Sequence, residues 1–111
     1  MMFALALMVQ DAPLPPVSPG LCRATATILE PILASVRGSL NEEAANLRAG
    51  RKSPYTAERL ERMMALLEAD AANVATVKRR YGPGDATAAE TAELNKMHSP
   101  DWARYVKACA A

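Results

Sequence analysis

The sequence predicts an all-α protein, a small antiparallel bundle of two long helices plus a third arm broken into two short helices, closed by one disulfide. Three observations carry this reading. Apolar residues recur at helical spacing along two long stretches, Val and Ile never alternate with polar residues as a strand requires, and Ser-Pro pairs at 18, 53 and 99 mark helix starts. Hydrophobic residues make up 50% of the 111-residue chain, too many for disorder. Much of that share is alanine, which favours helix and adds little core volume. One Trp, three Tyr and one Phe leave few bulky anchors, so the contacts between helices should be thin.

Residues 1–12 read as a signal peptide on a partial match. The run MMFALALMV is nine residues long, short of the roughly twenty needed to cross a bilayer but within the ~7–15 of a signal core. No Lys or Arg precedes it, and Ala4-Leu5-Ala6 falls early for a cleavage site. The competing reading is an apolar turn packed on the bundle. Residues 13–20 form a Pro-rich spacer, with Pro13, Pro15, Pro16 and Pro19 favouring an extended, semi-rigid chain. Residues 21–111 are a single helical domain. A lipid anchor on Cys22 is disfavoured, because Leu21 stands where a small residue is required.

The first long helix starts at the Ser18-Pro19 cap and carries Leu21, Thr25, Ile28, Leu29, Ile32, Leu33, Val36, Leu40, Ala44 and Leu47 on one face. Pro31 removes a hydrogen bond to Thr27, so the helix should kink there. A split at Pro31, or at Gly38 with Ser39 and Glu42 capping a restart, is the alternative. Gly50 ends the element.

The stretch Ser53 to Gly82 forms the central helix, with Ser53 as N-cap, Pro54 in the first turn and Gly82-Pro83-Gly84 as the stop. Leu60, Met63, Met64, Leu67, Ala71, Val74, Val77 and Tyr81 share its inward side. Lys78, Arg79 and Arg80 in the last turn favour the negative end of the helix dipole and read as a solvated end. Asp70 breaks the pattern on the flank of this face and should reach solvent or a cation such as Arg37.

Thr87 and Glu90 make a capping box for a third helix, facing inward with Ala88, Ala92 and Leu94 or Met97. Ser99-Pro100 opens a last helix with Trp102, Tyr105, Val106 and Cys109 on one side. Antiparallel return of the long helices brings Tyr81 level with Cys22, and the broken arm then carries Cys109 to the same end. That makes a Cys22–Cys109 disulfide possible, and the export signal favours it over the alternatives, two buried free thiols or a metal pair.

Motifs for chemistry are lacking. A net charge of +1 gives no concentrated basic surface for nucleic acid. No GxSxG, phosphate loop, HExxH or CxxC occurs, and His98 is the one histidine, placed in the turn between the two short helices. Met63, Met64, Met97 and His98 could suit a soft metal, but helical rise separates Met64 from Met97 by about 10 Å, so they read as core filler.

The sequence reading is therefore an exported, periplasmic or secreted protein with no enzymatic role, no cofactor, no metal and no stable transmembrane anchor. It is a protein-interaction module of the cell envelope with an unspecified protein partner. The alternative is a small-ligand or metal carrier using space within the bundle, beside the Pro31 kink. An exposed apolar groove along the helix pair would favour the module, and a large closed apolar cavity the carrier.

Overall fold

A computed structural model describes residues 13–111, so the expected signal peptide at 1–12 lies outside the described residues. The described chain is all-helical: α1 Pro19–Arg48, α2 Ala57–Tyr81, α3 Ala88–Lys96 and α4 Ser99–Ala110. Helices α1 and α2 form an antiparallel hairpin. Helix α4 packs on both at the hairpin's open end, the base, while α3 packs on α1 alone among the helices. None of these helices is long and apolar enough to cross a membrane.

Helix α1 runs unbroken through both Pro31 and Gly38, so it is not split. Pro31 is exposed, which lets its ring sit on the solvent side. The C-terminus of α1 closes as a Schellman turn: Gly50 has φ 73°, its N–H reaches Leu47 O at 3.1 Å, and Arg51 N–H reaches Asn46 O at 2.8 Å. Gly50 supplies the left-handed residue that this turn requires.

Helix α2 starts later than Ser53-Pro54 implies. Its N-cap is Thr56, whose hydroxyl accepts the Arg59 N–H at 3.1 Å. Ser53 instead accepts the Tyr55 N–H at 3.2 Å and donates to Glu43 on α1 at 3.3 Å. This turn folds Tyr55 onto the core, with the Arg59 guanidinium 5.5 Å from its ring centre. At the other end Gly82, at φ 64°, stops α2.

The core runs down the hairpin seam through Leu29, Leu33 and Leu40 facing Leu60, Leu67 and Val74. At the base Leu21, Cys22, Val77, Tyr105, Val106 and Cys109 are all sealed from solvent. Cys22 and Cys109 are joined in a disulfide with their Cα atoms 6.0 Å apart.

Two sequence expectations about faces need correction. Ile32 and Val36, counted on the inward face of α1, are 42% and 39% exposed, because α4 is too short to cover that part of the hairpin. At ~1.5 Å per residue the 12-residue α4 spans about 18 Å against about 45 Å for the 30-residue α1. In α3, Ala88 and Ala92 are exposed, whereas Leu94 is buried and Glu90 and Met97 are half-buried, so the inward side is set by Glu90.

The 87-residue separation of the cysteines gives the disulfide a large share of the stability, about 4–5 kcal/mol by loop entropy. Reduction should therefore lower the urea midpoint by about 3 M, at an m-value of ~1.5 kcal/mol/M. An unchanged midpoint would show that the bond is dispensable. Gly38 lies exposed inside α1, and a Cβ added there would meet nothing within 4 Å. Gly38→Ala should stabilise by about 0.5–1 kcal/mol, read as a rise of about 3–6 °C in Tm.

Candidate functional site

The base of the hairpin is a structural lock built around one carboxylate. Helix α3 is capped as its sequence predicts, with Glu90 N–H on the Thr87 hydroxyl at 3.1 Å and Thr87 N–H on Glu90 Oε1 at 2.9 Å. The same carboxylate also caps α1. Glu90 Oε2 accepts the Leu21 N–H at 3.1 Å and the Ser18 hydroxyl at 2.8 Å. Ser18 occupies the N-cap position but makes no side-chain cap itself, because its hydroxyl is spent as a donor to Glu90. A residue 72 positions away supplies the capping oxygen instead.

Gly20 is what lets Glu90 approach, since a Cβ there would fall onto the carboxylate. Donors converging on one carboxylate, the Thr87 backbone N–H foremost and the Ser18 hydroxyl next, hold its pKa down at about 2. Two helix N-termini reinforce the same preference for negative charge.

Tyr105 pins the Pro-rich segment onto this lock. Its hydroxyl donates to Pro16 O at 2.9 Å and accepts the Ser18 N–H at 3.1 Å. Burial pushes its pKa up, so the hydroxyl keeps its proton and stays a donor. Leu14 also packs against the core. Between Leu14 and Ser18 the spacer is thus docked rather than free.

The basic end of α2 is likewise more than a solvated helix end. Arg80 Nη1 donates to Cys109 O and Ala111 O, both at 2.9 Å, and Tyr81 Oη donates to Cys109 O at 3.3 Å. Together they satisfy carbonyls that the last turn of α4 leaves open. Lys78 pairs with Glu30 at 3.0 Å, and Arg23 on α1 donates to Tyr81 O and Gly84 O, both at 3.1 Å. Arg37 pairs with Glu68 at 2.7 Å, not with Asp70, which is half-buried. Glu68 and Asp70 stand two positions apart along α2, and the guanidinium takes the more exposed carboxylate.

The remaining sequence candidates do not converge. His98 is exposed at the N-cap of α4, its carbonyl accepting the Asp101 N–H at 2.8 Å. Met63, Met64 and Met97 pack against the core. Among the described residues no group of three His, Cys, Asp or Glu side chains is placed to hold a metal ion.

The feature best suited to bind something lies at the other end, near the hairpin tip. Leu40, Ala44 and Leu47 on α1 and Ala57, Leu60, Met64 and Ala65 on α2 line an open apolar groove of about 520 Å³. Arg48 rims it on the α1 side, and Glu61 and Glu68 rim it on the α2 side. Alanines make it concave, and the flexible Met64 gives an adaptable wall. The groove exists because a two-helix layer has two faces and nothing in the described chain covers this one. Helical period puts these residues on their helices, but whether anything covers the face between them is a matter of tertiary packing. No family model matches the chain, and neither curated proteins nor solved structures yield a match.

The depressed pKa of Glu90 fixes the sign of a pH effect. Its contribution should be complete above the ordinary value of 4.5 and fade as pH falls toward about 2, where the folded carboxylate takes up its proton. Glu90→Gln should be less stable than the parent at pH 7 in thermal melts. The gap should narrow through that acid window, and a gap independent of pH would contradict the charged double cap.

Proposed function

We propose that this protein is a non-enzymatic interaction module of the cell envelope, and that its working surface is the tip groove between α1 and α2. The observation that carries this reading is the groove itself, apolar on its floor, open along its length and rimmed by charges of opposite sign. An open apolar groove between antiparallel helices suits an amphipathic helix, whose i, i+3, i+4 and i+7 side chains would fill it while polar flanks meet the rim. The rigid base supports this role, since the disulfide and the double helix cap hold the hairpin in one arrangement before a partner arrives.

The disulfide also supports location in an oxidising compartment, periplasmic or extracellular. A small-ligand or metal carrier would need an enclosed cavity or a converging ligand set. The open groove and the separated His98 and methionines give that alternative no specific support.

A photoreactive amino acid at Ala65, introduced into the full chain in its own organism, tests the proposal. It should give an adduct heavier than the single chain, and Ala44→Glu should abolish that adduct while leaving Tm within a few degrees. No adduct, or one indifferent to Ala44→Glu, would remove the groove from consideration.

A further inference from the structure

Resting on the reading of the groove as a docking surface, we infer that its occupant is a second copy of this chain, two hairpin arms closing into a four-helix bundle. The inference comes from the register of the hairpin and the placement of charge on its two walls. Glu30 pairs with Lys78 and Arg37 with Glu68, so seven residues toward the tip on α1 are matched by ten back on α2, an antiparallel register loosened by the length of these side chains. From Arg37–Glu68, stepping residue for residue toward the tip puts Arg48 level with Ala57, about one turn from Glu61 on the opposite rim and within reach of the arginine side chain. Both are exposed, and among the described residues neither has an ion-pair partner, whereas Glu68 on the same rim is already paired.

A two-fold axis parallel to the arm preserves height and exchanges the walls. It lays α1 of one copy antiparallel over α2 of the other, the neighbour relation of an antiparallel four-helix bundle. The Arg48 of each copy then meets the Glu61 of its mate, twice by symmetry. The partly exposed Ala44 and Leu47 of each copy face Ala57 and Met64 of the other, above the already buried Leu40 and Leu60, so the uncovered part of each groove is buried. The other two-fold, across the arm, would stack α1 on α1 and α2 on α2, setting the two acidic α2 rims against each other and keeping Arg48 away from Glu61 of the mate. Charge complementarity therefore selects one arrangement.

The base leaves room for this. Arg80, which holds α4, comes sixteen residues after Met64 and so points about 160° away from it around α2, at ~100° per residue. Helix α4 lies on the outside of such a pair. Its position leaves the groove faces free to meet.

Sedimentation equilibrium of the disulfide-intact full chain, from a few micromolar to a few hundred micromolar, tests the inference. Twice the chain mass should accumulate with concentration. Arg48→Glu and Glu61→Arg should each weaken the dimer about tenfold, since two symmetric attractions become repulsions. The double swap Arg48→Glu/Glu61→Arg should recover the parent affinity to within about threefold, a rescue that a change in folding alone would not produce.

A monomer at every concentration would overturn the inference, as would a dimer unmoved by the single reversals or not rescued by the swap. Should the chain be monomeric while the Ala65 probe still gives an Ala44-dependent adduct with a different protein, the second copy falls and the docking groove stands. Loss of both results would end both readings.

Discussion

The bond between Cys22 and Cys109 ties the first turn of α1 to the last turn of α4, and the architecture is arranged about that closure. It fixes the antiparallel return of α2, since Arg80 and Tyr81 must arrive beside Cys109 to satisfy its carbonyl. It also holds Tyr105 where its hydroxyl meets Pro16 and Ser18. A core of leucines, valines and alanines with few aromatic anchors has modest depth. Cross-linking residues so far apart in sequence removes enough unfolded-state entropy to matter on the scale of a small domain's net stability.

Glu90 complements the disulfide with a non-covalent tie. A carboxylate that caps its own helix is a local device, but here the second oxygen reaches the N-terminus of α1 as well. The orphan N–H groups of two helices are thus met by one side chain. Gly20 and Ser18 belong to the same arrangement, one by leaving space and the other by donating a proton. The result is an asymmetric molecule, densely bonded at the base and only two helices thick toward the tip. Apolar surface left at the thin end accounts for the groove.

How much of this was legible depends on whether the signal was local. Helical period, the Thr87-Glu90 box, the stop at Gly50 and the pairing of the only two cysteines can each be read within a few turns or from simple topology. Ser53-Pro54 misled because a Ser-Pro pair suits a turn as well as a cap, and Thr56 stood three residues later with an equally good oxygen. Ser18 marked the right position for the wrong reason, its own hydroxyl being engaged by a carboxylate from another helix. Ala88 and Ala92 looked inward because alanine is apolar, yet the hydrogen bonds of Glu90 set the rotation of α3. Ile32 and Val36 looked buried because periodicity reports which face a residue is on, not whether anything covers that face.

By itself the sequence determined the all-α class, the number of long helices, their approximate ends and the cysteine pair, since these follow from period, turn chemistry and chain length. Only the tertiary structure decided that Glu90 caps two helices, that Arg80 closes α4, and that α3 leaves α2 untouched. Those contacts join residues from 29 to 72 positions apart, and no local pattern encodes them. The groove is of the same kind. Its residues are mostly ordinary inward positions of two helices, and it becomes a site only because the last helix packs at the far end of the hairpin and on the opposite face.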